Sequence, residues 1–312
     1  MYPKGALAHL ARALDWQSKG DEFESRMLHM KTQLLLIALL VLSSTLKAQV
    51  VNYSPAYFGP NANPAWEFTD ATIPVHTYFS FSEDFFFGFG DNTFSSKLTL
   101  EIPLLSERIS MKLWVALMEQ FKVTEEVSEK RGMNGVLVGG ADGDMCIQTR
   151  IRLFKEKKIM PNVILNTTLK TASGTNVGKR RYYDTPGYYF DVELGKSVHT
   201  KNELVSEIRG AVDLGFLCWQ GPYNEQNDAP MYGGKFILSN KLIEFENAIA
   251  GYKGWMRNGD NPLVYSSKIA LKAKQMSYYL MYQYGIRDFP YHHIRVGFTL
   301  KLPEIMPIFN KS

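Results

Sequence analysis

"MCIQTRIRLF", residues Met145–Phe154, alternates at every second position. Met145, Ile147, Ile151 and Leu153 fall on one side, with Cys146, Gln148, Arg150 and Arg152 opposite. A strand turns successive side chains to opposite faces, whereas an amphipathic helix would repeat its apolar residues every three to four positions. The stretch is therefore a strand with one apolar and one charged face. What lies against each face decides the fold.

The same period recurs over 75–81, 96–104, 109–117, 161–171, 187–195, 207–219, 232–239, 242–252, 264–273, 276–285 and 294–302, which with the first stretch predicts twelve strands. The faces opposite the apolar ones carry Arg150, Arg152, Asp191, Glu193, Arg209, Asp213, Lys268 and Arg295. In a soluble β-sandwich or lipocalin-like barrel those charges would meet water and the apolar faces would form the core. In a transmembrane barrel the sides are reversed: lipid covers the apolar face and the charges line a lumen.

Connection lengths favour the membrane barrel. Alternate junctions are short ("LSER", "KEKKIM", "KSVHTKN", "NK", "AKQ"), and the others are longer ("GFGDNTF", "KVTEEVSEKRGMNGVLVGG", "ASGTNVGKRRYYDTP", "QGPYNEQNDAPM", "KGWMRNGDNP", "IRDFPYHH"). Short periplasmic turns and longer outer loops are the pattern of such barrels. Tyr188, Tyr189, Trp219, Tyr223, Tyr252, Trp255, Tyr265, Tyr282, Tyr284 and Tyr291 cluster near the longer loops, where amphipathic rings suit a membrane interface.

The chain has 312 residues. "MKTQLLLIALLVLSSTLKAQ", beginning at Met30, has a basic start, a short apolar run and small polar residues, which predicts a signal peptide over 30–48 cut after Ala48. Residues 1–29 read as an extension from a start codon assigned too early. The expected organisation is then an irregular lead-in over 49–74, a barrel over 75–302 and a tail over 303–312. Residues 49–312 carry 29 Lys and Arg against 27 Asp and Glu, a balance that points away from nucleic acid. Cys146 and Cys218 fall on opposite strand faces, so two free thiols are expected rather than a disulfide.

"YSPAYFGPNANPAWEFTDATIP", "KTASG" followed by "YYDTPGYYFDVELGK", "QNDAPMYGGKF" and "AGYKGWMRNGDNPLVY" together resemble the uncharacterised outer-membrane β-barrel proteins of Bacteroidetes. The resemblance covers most of the chain after the signal peptide and implies an exported barrel in a Gram-negative outer membrane. It supplies no catalytic residues. The chain departs from common outer-membrane barrels in ending on "PEIMPIFNKS" rather than on a strand with a terminal aromatic.

Three functions fit such a barrel. A narrow channel or transporter would use the inward charges as a field for a small polar solute. Paired with one another, the same charges would instead plug the lumen and leave a structural or interaction protein. An outer-membrane lipid hydrolase would need a serine beside a histidine base, but His76, His199, His292 and His293 lie outside any HxSNGR arrangement. "GTNVGKRRYY" imitates a phosphate-binding loop, yet it has three residues between its glycines and Arg180 where a hydroxyl belongs. Neither a nucleotide nor another cofactor is expected. Lys179, Arg180 and Arg181 read instead as a basic outer rim facing lipopolysaccharide phosphates. "ADGD" and "NGDN" are turn residues rather than a metal loop. The Pro- and Asn-rich lead-in is expected to cover the periplasmic opening, dock a partner, or simply precede the first strand.

Overall fold

The computed structural model describes residues 54–64, 67–105, 108–220 and 226–303. The start extension, the signal peptide, nearly all of the C-terminal tail and Tyr223 lie outside the described residues. Thirteen strands form among the described residues: β1 (Tyr78–Phe87), β2 (Asp91–Leu105), β3 (Ile109–Val123), β4 (Val138–Ala141), β5 (Met145–Phe154), β6 (Asn162–Lys170), β7 (Gly187–His199), β8 (Glu207–Gln220), β9 (Gln226–Ser239), β10 (Ile243–Tyr252), β11 (Leu263–Lys272), β12 (Met276–Arg287) and β13 (His292–Lys301). Twelve of them close into an antiparallel ring, because β1 pairs with both β2 and β13 and β2 also pairs with β3. β4 is a short flap hydrogen-bonded to the far end of β3. Closure removes the free edges that an open sheet would present to lipid.

Side-chain alternation sets inside and outside. Leu214, Leu271, Val296 and Phe190 are more than half exposed and form part of an apolar outer face. The opposite positions, including Arg150, Asp191, Glu193 and Asp213, are buried within the ring. Tyr78 pairs with Lys301 and with Glu101, so one end of the barrel carries both of its termini. We refer to it as the terminal end and to the opposite one as the loop end.

Several boundaries differ from the sequence expectation. β1 and β2 meet across Gly88–Gly90, so the "DNTF" of the expected first outer loop belongs to β2. Gly88 and Gly90 have φ of 110° and 79°, values that a residue with a Cβ rarely adopts, which is what makes so short a turn possible. β9 likewise takes in the second half of the expected "QGPYNEQNDAPM" loop. The contrast between the two ends therefore rests mainly on the β3–β5 and β6–β7 connections.

The aromatic residues divide. Tyr188, Tyr265, Tyr282 and Tyr284 face outward and are exposed, as an interface belt requires, and Trp255 is exposed in a loop. Tyr189, Trp219 and Tyr252 instead point inward and pack with Phe68, Leu217 and Met231 into a core inside the ring. Tyr291 is also buried, against Phe86 and Phe289. Cys146 and Cys218 are free thiols, as their opposite faces predict.

Candidate functional site: a threaded lumen

The lead-in neither covers an opening nor stays outside the barrel. It descends through the lumen. At the loop end, Ala56 O accepts from Arg131 Nε at 3.3 Å, Gly59 N donates to Arg180 O at 2.9 Å, and the Phe58 ring lies 4.1 Å from that of Tyr183. Lower down, Asn61 Nδ2 donates to Glu119 and Ser95, while Asn63 Nδ2 donates to the Tyr183 hydroxyl. Glu67 then meets Arg295, Phe68 O accepts from Lys235 Nζ, and Thr69 bonds Glu193 through both its backbone N–H and its hydroxyl. Arg209 donates to the carbonyls of Asp70 and Ala71, and Leu302 N donates to Thr77 O where the segment becomes β1.

An irregular chain pairs few of its own backbone groups, only through local turns here, so the wall satisfies many of the rest. This is the physical reason for charge on the inward positions. Arg150 on β5 reaches Glu101 on β2, Glu193 on β7 and the Thr69 hydroxyl together. Its neighbours include Asn166, which donates to Asp191 at 2.5 Å. Asp191, Glu193 and Asp213 bring carboxylate oxygens within 4.8 Å of one another. Arg295 joins Glu67 to Asp84, whose carboxylate also meets His293 Nε2 at 2.8 Å. Lys268 shares Glu246 with Lys235, at 2.8 and 2.9 Å.

The loop end is sealed by a second lattice. Helix α1 (Glu125–Arg131) is short but well terminated: Thr124 caps its first turn, acidic residues open it, and Gly132, in the left-handed region, ends it. Its last residue, Arg131, thereby enters the barrel mouth, where it meets Asp91 at 2.6 Å and the Tyr291 hydroxyl at 2.7 Å. Arg181 adds contacts to Glu119 at 2.6 Å, Asp91 at 3.1 Å and Thr93 at 2.8 Å. The β6–β7 loop can turn inward because Asn176 and Arg180 adopt positive φ of 59° and 55°. Tyr182 packs beneath, its hydroxyl donating to Glu119, and burial together with that carboxylate pushes the phenol well above its ordinary pKa.

Seven of the eight inward charges expected from sequence, all but Arg152, are buried within the ring or line its cavity. The structure joins Arg150 to Glu193, sets Asp191 and Asp213 beside them, and places Arg209, Lys268 and Arg295 in separate pairs. Arg152 lies at the terminal end of β5, half-buried. The basic rim is corrected. Arg181 is fully buried and cannot face lipid phosphates, because Glu119 and Asp91 draw its guanidinium into the barrel. Arg180 donates to Arg131 O. Of the three, Lys179 and Arg180 retain partial exposure.

Sequence reasoning missed Glu67 and Asp70 in the segment, and Asp84, Asp91, Glu101, Glu119 and Lys235 on the wall. Asp84, Asp91 and Glu119 were reachable by extending the alternation to the true strand ends, whereas Glu101 and Lys235 already lay within expected strands. The two acidic residues of "WEFTDAT" had no periodic signal. His292 Nδ1 meets the Tyr282 hydroxyl, His293 meets Asp84, and neither histidine hydrogen-bonds a serine among the described residues.

No family model matches the chain, and no curated protein does. Solved structures do share the fold. The COG4313 outer membrane channel from Pseudomonas putida F1 is 7% identical and superposes on 76% of this chain and 100% of its own, with a TM-score of 0.52. A NanC porin is 10% identical over 72% of this chain and 100% of its own, with a TM-score of 0.49. The class defined is a twelve-stranded antiparallel barrel of outer-membrane architecture, here with its own N-terminal segment inside.

Proposed function

We propose that the protein is an outer-membrane channel for small polar solutes that its own lumenal segment holds closed, and that it belongs to the Bacteroidetes barrels its motifs resemble. The observation that carries the channel reading is the nature of the contacts between segment and wall. They are largely hydrogen bonds and ion pairs, which water and solute can replace, and Glu67 remains 42% exposed while paired to Arg295. A purely structural filling would be better served by apolar packing, since burying charge pairs seldom stabilises a fold more than a hydrophobic core does. The apolar outer face supports outer-membrane residence, and the fold shared with a solved outer-membrane channel is consistent with both readings.

Planar-bilayer recording tests this. The full-length protein is expected to open rarely, and a Glu67→Gln, Asp70→Asn variant, which loosens the segment without removing it, to open more often. Silence from both proteins after verified insertion would overturn the channel reading and favour a closed interaction barrel.

A further inference from the structure

Beside the lumenal segment the barrel keeps a cavity of about 600 Å³, walled mostly by β1–β3 and β9–β13 and reaching Tyr78, Lys272 and Ser277 at the terminal end. That is the size of a small-molecule site, which typically spans roughly 300–1,000 Å³. Eight Lys and Arg side chains line it against six Asp and Glu, so its field is positive. Each of those carboxylates is already engaged by a cation: Glu67 by Arg295, Asp70 by Arg209, Glu101 by Arg150, Asp144 by Lys170, and Glu244 and Glu246 by Lys268.

Lys112 is different. Its cross-strand neighbour is Glu101, the natural partner for a lysine on an antiparallel pair. Arg150 and the Ser110 hydroxyl take that carboxylate instead. Lys112 Nζ is left 5.4 Å above the Trp114 ring, with no ion pair to a carboxylate among the described residues. A cation held beside an aromatic face in a positively biased cavity is suited to a carboxylate attached to a compact polar body.

We propose that this cavity binds small carboxylate-bearing anions, with Lys112 as the anchoring cation and Trp114 as the adjoining wall. The proposal rests on the solute-channel reading above and specifies the solute's charge. Binding of D-glucuronate and of its neutral counterpart D-glucose to the detergent-solubilised full-length protein, followed by isothermal titration calorimetry, tests it. Glucuronate is expected to bind about tenfold or more tightly than glucose. Lys112→Gln is expected to remove that preference and Lys112→Arg to keep it. Equal binding of the two sugars, no binding of glucuronate, or an unchanged preference in Lys112→Gln would overturn the site. The conductance test remains separate. A protein that binds glucuronate and never conducts keeps the site and loses the channel, whereas one that conducts without this preference keeps the channel and loses the site.

Discussion

Arg295 on the last strand and Glu67 in the lumenal segment, 228 residues apart, face one another through two hydrogen bonds of 2.9 Å. The fork matches a planar guanidinium to both oxygens of a carboxylate, the geometry in which arginine is most specific. Arg295→Lys keeps the charge and loses the fork. Channel openings of this variant in planar bilayers should be more frequent than those of the unaltered protein, because a lysine cannot hold Glu67 and Asp84 in the same way. An unchanged opening frequency would show that the pair does not hold the segment.

Arg181 and Lys179 are two residues apart and should differ sharply on substitution. Arg181→Ala leaves Glu119 with a diminished set of partners in a buried site, and breaking such a pair costs about 3–5 kcal/mol. Lys179→Ala should cost roughly 0.5 kcal/mol or less, as partly exposed substitutions usually do. Urea midpoints, followed by the gel-mobility difference between folded and unfolded barrel, would check the contrast. Comparable midpoints would restore both residues to a common surface role.

Leu214 lies midway along β8 on the outer face and is 62% exposed. Arginine there should cost about 2–4 kcal/mol in a bilayer, the penalty for a cation near the midplane. Folding into lipid vesicles would measure it. A neutral effect of Leu214→Arg would mean that this face meets water and that the barrel is soluble.

Glu156, at the terminal end after β5, accepts from Ser197 N and from Arg209. Burial alone would raise its carboxyl, but those donors and the nearby Lys196 charge outweigh it and hold the pKa below the ordinary glutamate range. A lowered folded pKa means the stabilisation is present above the unfolded value of about 4.3 and is lost as pH falls through the folded one. The stability gap between the unaltered protein and Glu156→Gln should therefore be largest near neutral pH and close below about pH 4. A gap that widens with acid would refute the assigned direction.

The barrel was legible because lipid and lumen impose a period of two, which survives in strands such as β5 and β13. Position and face together foretold the inward placement of Arg150 and Arg295 without any knowledge of their partners. The threaded segment was not legible for the opposite reason. Its irregular backbone carries no period, and its meaning lies in contacts with wall residues more than a hundred positions away, such as Thr69 with Glu193. Tyr189 and Trp219 were misplaced by the same gap. With no segment in view, inward rings near a strand end look like an interface belt. Arg181 looked like a rim residue because a basic run in a long loop resembles a solvated surface until the loop is seen to fold inward.

Cross-linking of residue 67 to residue 97 measures whether the segment lies inside the barrel. Lys97 Nζ is 3.4 Å from Glu67, and both side chains reach the cavity. In a protein with Cys146→Ser and Cys218→Ser, cysteines at these two positions should be joined by a short bis-maleimide in the folded, membrane-inserted state. Mass spectrometry should find the two peptides linked within one chain. Two separately capped thiols in a correctly folded barrel would contradict a lumen threaded by its own N-terminal segment.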